Sequence, residues 1–113
     1  MRQRREVALW VAQRATATVL ALCVLVHLAT IIYAVRGGLS AGEVLARTRG
    51  NLAWASFYVI FVIAAAVHGA IGLRTVAAEW LGFRGGAAEV AAALVAVALA
   101  MMGLRAVVAV FAA

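Results

Sequence analysis

Lysine, aspartate and proline are absent from this 113-residue chain, and cysteine occurs once, at Cys23. With a single thiol the chain forms no intrachain disulfide. It also falls short of the several thiolates that iron–sulfur clusters and cysteine-type zinc sites require. Charge is equally scarce: ten arginines and the glutamates Glu6, Glu43, Glu79 and Glu89 amount to only 12% of the residues, about half the share that keeps a soluble domain dissolved. That deficit excludes a water-soluble domain, and a hydrophobic content of 68% makes lipid the solvent. No low-complexity linker or internal repeat breaks the chain, so residues 1–113 read as one transmembrane domain.

Three stretches are nearly free of charge: Ala15–Val35, Leu52–Leu73, and Val90–Ala113 with Arg105 as its one charged residue. Each is long enough to cross a hydrocarbon core of about 30 Å as a helix rising about 1.5 Å per residue. The first is too long for a signal-peptide core, and Arg36-Gly37-Gly38 follows it in place of a small-x-small cleavage site. It reads as a retained helix. Between the first two spans, Gly37-Gly38 is a helix stop, and Ser40-x-x-Glu43 is a capping box opening a short surface helix to about Arg47. The second span runs on past Arg74 to about Leu81, where Gly82, Gly85 and Gly86 turn the chain. The expected fold is all-α, an integral membrane protein with three transmembrane helices running up, down and up.

Arginines set the orientation. Arg2, Arg4, Arg5, Arg14, Arg74 and Arg84 fall on one side and Arg36, Arg47 and Arg49 on the other, which predicts a cytoplasmic N-terminus. Trp10, Trp80 and Phe83 near one surface and Tyr33, Trp54 and Tyr58 near the other form two aromatic belts. The net charge of +6 arises at helix ends and in loops, without the basic stripe and interleaved aromatics of a nucleic-acid binder. No nucleic-acid partner is expected.

His27 and His68 are the only histidines, and both fall inside spans, where polar side chains are costly and usually functional. One reading is a neutral imidazole hydrogen-bonded to a neighbouring helix. A general base would need a carboxylate or nucleophile at similar depth, and none of the four glutamates is there. The other reading is ligation of a metal or haem, for which neutral imidazole is the usual donor. Around His68, Gly69 and Gly72 either let a flat macrocycle approach the backbone or serve close helix packing. Arg74, a turn and a half further on, is placed to meet a haem propionate. Arg105 either pairs with a propionate or snorkels outward. Cys23, one turn before His27, reads as packing.

The run His68-x-x-x-Gly72-x-Arg74, with Glu79-Trp80 beyond it, resembles the second helix of the membrane-anchor cytochrome b subunits of succinate dehydrogenase and fumarate reductase. Gln13-Arg14-Ala15-Thr16 is similar to that family's His-Arg-x-Ser-Gly start. Tyr33-Ala34-Val35-Arg36-Gly37-Gly38, with the loop through Arg49, also looks like short anchor subunits of this group. The resemblance covers about residues 10–80. Two positions depart from the pattern: Trp10 stands where the family has a serine and Trp80 where it has a quinone-binding tyrosine, so the hydroxyls are lost although Trp keeps an N–H donor.

The resemblance implies a haem b-binding anchor of a succinate:quinone oxidoreductase in a bacterial inner membrane, with one or two haems. His68 and His27 would be axial ligands of haem iron, Arg74 and Arg105 propionate partners, and Arg14, Trp80 and Glu79 quinone contacts. Dicarboxylate chemistry would then occur on separate flavoprotein and iron–sulfur subunits, because this chain has neither a four-cysteine cluster set nor a dinucleotide fingerprint. A haem-free structural anchor and a small transporter are the alternatives. Coupled transport usually needs a carboxylate within a span, and none is present.

Helix rise bears on whether the two histidines share an iron. His27 lies thirteen positions beyond Arg14, about 20 Å deep, and His68 six before Arg74, about 9 Å deep. Axial nitrogens on one iron stand roughly 4 Å apart. Each histidine therefore needs a partner from another chain, either a second three-helix anchor subunit or a second copy of this one.

Overall fold

The computed structural model describes residues 1–113 and contains helices only: α1 (Arg2–Arg36), α2 (Ala41–Thr48), α3 (Leu52–Leu81) and α4 (Gly86–Phe111). The three long helices are each long and apolar enough to cross a membrane. They form a bundle 50 × 24 × 22 Å, in which α3 packs against both α1 and α4. Helix α1 begins well before the apolar run that marks its span, because nothing between Arg2 and Ala15 interrupts helical geometry.

Local chemistry accounts for each boundary. Helix α1 stops at Gly37, and Gly38 takes a left-handed φ of 64°, which glycine adopts without steric cost. Ser40 opens α2: its hydroxyl accepts from the Glu43 N–H at 3.2 Å, while the Glu43 carboxylate accepts from the Ser40 N–H at 3.3 Å. The Asn51 side-chain oxygen caps α3 by accepting from the Ala53 and Trp54 N–H groups. Gly82, at φ 65°, ends α3.

The segment around α2 also completes α4. The last carbonyls of a helix have no partner within it, and in a membrane such orphans are expensive. Here Thr48 Oγ1 donates to the Val110 carbonyl at 3.0 Å, and the Gly50 N–H donates to the Phe111 carbonyl at 2.9 Å.

Only Cys23, Ala64, Ala66, Ala70, Ala88 and Val107 are buried, while Leu22, Leu25, Leu94, Met101 and Met102 are among many large apolar side chains left exposed. A soluble domain would aggregate with that surface; lipid accepts it. Buried positions are small because helices in lipid gain most from close backbone approach. The extreme case is Gly103 on α4, where a Cβ would stand 2.5 Å from Val62 Cγ1 on α3.

At the N-terminal end of the bundle, four charged side chains join the three long helices. Arg74 of α3 donates through Nε to Glu89 of α4 at 2.7 Å and reaches Glu6 of α1 at 3.5 Å, while Arg5 of α1 pairs with Glu89. Exposed pairs are individually weak and screened by salt. Because Glu89 is shared by two arginines on two helices, Glu89→Gln is expected to lower the unfolding temperature in detergent at low ionic strength. The difference from wild type should shrink in high salt, and equal melting at both ionic strengths would show that the network adds no stability.

Candidate functional site

The α1–α3 seam holds the polar residues found at membrane depth. The helices run antiparallel in constant register: Gln13 faces Gly72, Thr16 faces His68, and His27 faces Tyr58. Thr16 Oγ1 lies 3.2 Å from His68 Nδ1, and the Tyr58 hydroxyl lies 3.3 Å from His27 Nδ1. His27 also meets the rings of Tyr58 and Phe61 edge-on, with centroids 5.7 Å away in both cases. Along α1, eleven residues separate Thr16 from His27, and along α3 ten separate Tyr58 from His68. The two imidazoles therefore occupy levels about 15 Å apart, and within one chain they do not approach a common iron.

The ring nitrogens of the two histidines are the donors that a haem iron would meet. Both histidines are half-buried. Each spends Nδ1 on a hydroxyl of the neighbouring helix, while Nε2 has no hydrogen-bond partner in the chain. Neither Nε2 is enclosed, since the only enclosed and unpartnered side-chain polar atom is Gln13 Oε1. An imidazole with one nitrogen held by a hydrogen bond and the other free is the arrangement of metal-ligating histidine, so the residues fit. No three His, Cys or carboxylate side chains converge anywhere. The donors offered by this chain are therefore single imidazoles, and His is one of the axial ligands haem iron takes.

The other candidate residues lie at several places in the bundle. Gly69 and Gly72 do not form a bare face: a Cβ at Gly69 would stand 3.4 Å from Leu99 Cδ1 of α4, and one at Gly72 would stand 3.4 Å from Gln13 Nε2 of α1. Both serve helix packing, each against a different neighbour of α3. Arg74 is already engaged by Glu89 and Glu6. Arg105 is exposed and has no polar partner in the chain, six residues before α4 ends at Phe111. Cys23 is buried and packs.

Arg14 is exposed and lies over the Trp10 ring, 5.4 Å from its centroid. The register does not bring it to Trp80. Gly72 faces Gln13, and Trp80 lies eight residues beyond Gly72, about 12 Å further toward the N-terminal end. Trp80 is fully solvent- or lipid-facing, and Glu79 lines a cleft of about 990 Å³ with Arg5, Arg74 and Arg84. A second, more apolar cleft of about 490 Å³ lies at the other end, where His27, Tyr58 and Trp54 meet Arg47 of α2.

Residues 1–110 match the family described as succinate dehydrogenase/fumarate reductase transmembrane subunit. The chain belongs to that family. No curated protein and no solved structure matches it. As a transmembrane subunit of this family with three helices long and apolar enough to cross a membrane, the chain is a multi-pass membrane protein.

For this transmembrane subunit, sequence reasoning singled out both histidines but gave no role to Thr16 or Tyr58, the residues that hold them. Thr16 stood within the quoted Gln13–Thr16 run, and Tyr58 within an aromatic belt. The signal that identifies them is the antiparallel register, which emerges only once two helices are paired.

Proposed function

We propose that this chain is the haem b-binding membrane anchor of a succinate:quinone oxidoreductase of a bacterial cytoplasmic membrane, with its N-terminus in the cytoplasm. The observation that carries the reading is the pair of half-buried imidazoles, each with Nδ1 engaged and Nε2 free, at two levels about 15 Å apart. His68 serves as axial ligand at the level nearer the cytoplasm and His27 at the outer level. Each level is completed by a histidine from a second three-helix anchor subunit or from a second copy of this chain. A haem b, when bound, supplies a one-electron relay between a peripheral iron–sulfur subunit and membrane quinone.

The arginines meet the anionic groups of the ligands. Arg105, with no partner of its own, is assigned to a propionate at the outer level. Arg74 contributes to a propionate at the inner level in competition with Glu89 and Glu6. Arg14, two residues from Thr16 and so within about 3 Å of the His68 level, hydrogen-bonds a quinone carbonyl. Glu79 and Trp80 contact quinone or the peripheral subunit at the cytoplasmic end. Flavoprotein and iron–sulfur subunits carry out the dicarboxylate reaction.

Haem quantification and a reduced-minus-oxidised spectrum of the purified complex test this reading. Sharp reduced-state bands with one or two haems per anchor assembly support it. A colourless complex supports instead a haem-free structural anchor, a reading that the Tyr58–His27 contact also serves. Arg14→Ala is expected to lower quinone reduction by about tenfold or more, the value of a charge-assisted hydrogen bond. Unchanged quinone reduction and inhibitor sensitivity would remove Arg14 from the site.

A further inference from the structure

A hydroxyl has one proton to give, and the surroundings of Thr16 determine where it goes. Thr16 Oγ1 lies 2.7 Å from the Ala12 carbonyl and 3.2 Å from the Gln13 carbonyl. Neither carbonyl can donate, so the hydroxyl proton is spent on the backbone of its own helix. What remains on Thr16 Oγ1 is lone-pair density, and His68 Nδ1 stands 3.2 Å from it. That contact is a hydrogen bond only if Nδ1 carries the proton. His68 is thereby held as the Nδ1–H tautomer, with the lone pair on Nε2.

His27 lacks this constraint. Its partner, the Tyr58 hydroxyl, makes no other hydrogen bond in the chain, so it can donate to Nδ1 or accept from it, and neither tautomer of His27 is enforced. Thr30, the nearest hydroxyl on α1, donates at 2.6 Å to the carbonyl of His27 itself and not to its ring. The two histidines look alike in sequence and differ in how their protons are held.

We propose that Thr16 is a positioning residue that fixes the tautomer and ring orientation of His68, making its Nε2 the nitrogen offered to iron. This rests on the reading of His68 as an axial ligand. Outer hydrogen bonds to a ligating histidine set its orientation and raise its basicity, and losing one typically costs about ten- to a hundredfold in metal affinity or activity. A more basic imidazole favours the ferric state, so loss of the Thr16 acceptor shifts the haem midpoint potential upward and loosens haem binding.

Thr16→Val tests the inference in the intact complex, because it replaces the hydroxyl by a methyl group and keeps the β-branched shape. The expected result is an assembled complex with weaker haem retention, on the order of tenfold, and a raised potential and altered ferric spectrum for the His68 haem alone. Thr16→Ser, which keeps the acceptor, restores both. Thr16→Ala serves the same comparison should the valine variant not assemble. A potential and spectrum in Thr16→Val equal to wild type would overturn the proposal, as would a serine variant as impaired as the valine one. His68→Ala separates the two levels of the argument. If that variant keeps all its haem, the axial-ligand reading fails; if it loses haem while Thr16→Val behaves as wild type, only the role of Thr16 fails.

Discussion

His68→Ala is expected to abolish one haem of the assembled complex and leave the other spectrally intact, and His27→Ala is expected to do the converse. The reason is distance. With Thr16 opposite His68 and Tyr58 opposite His27, the imidazoles lie on levels about 15 Å apart, against roughly 4 Å between two axial nitrogens on one iron. Loss of an axial ligand leaves the iron one strong bond short, so the effect is near-complete loss at that level and not a graded shift. Pyridine haemochrome assay and low-temperature difference spectra of each variant, in complexes shown to be assembled, read this directly. Loss of the same single haem in both variants would refute the two-level arrangement.

A second large effect lies far from the polar seam. Gly103→Ala should destabilise the α3–α4 pairing by about 1–3 kcal/mol, the usual cost of forcing an extra group into a filled interface. The added Cβ would come within 2.5 Å of Val62 Cγ1 and 2.8 Å of Cγ2. Valine is β-branched and stiff at χ1, so it cannot swing aside as a long flexible side chain does; the helices must separate. Val62→Ala should rescue Gly103→Ala, because the double variant refills the space with one methyl group in place of an isopropyl group. Thermal unfolding of the four proteins of this double-mutant cycle in one detergent measures the coupling. Additive effects would show that the two positions do not touch in the membrane.

The α2 segment illustrates what local chemistry makes legible. Gly37-Gly38, then Ser40 and Glu43 three residues apart, is read as a stop and a capping box because each depends on neighbours in sequence, and the observed helix Ala41–Thr48 has both hydrogen bonds of the box. The end of α3 at Leu81 before a left-handed Gly82 follows from the same kind of cue. Span length is equally local. The start of α1 at Arg2 was missed because a hydropathy run marks where the lipid begins and not where the helix does.

Helix faces were not legible, as Gly69 and Gly72 make clear. From spacing alone they suited a macrocycle cradle and a packing groove equally; in the fold they meet Leu99 and Gln13 on two different neighbours. Arg74 likewise has a propionate as a candidate partner in sequence, and finds Glu89, fifteen residues away, and Glu6, sixty-eight residues away, in the bundle. Sequence places Arg14, Glu79 and Trp80 at one surface, because Arg14 ends the polar entry of the first helix while Glu79 and Trp80 end the second. The antiparallel register separates Arg14 from Trp80 by about 12 Å.

Sequence by itself determined the solvent, the number of spans, the capping of the short helix and the depth offset of the two histidines, because composition, helix rise and neighbouring residues suffice for all of these. Tertiary structure alone decided which residue each histidine touches and which carboxylates engage Arg74. In water, a helix announces its inward face by an apolar stripe. In lipid, the face toward a neighbour and the face toward the acyl chains are both apolar, so α1, α3 and α4 carry almost no such stripe. Rotation and register are then set by the fit of small residues such as Gly103 against Val62 and by a few polar contacts, and neither exists until the helices meet.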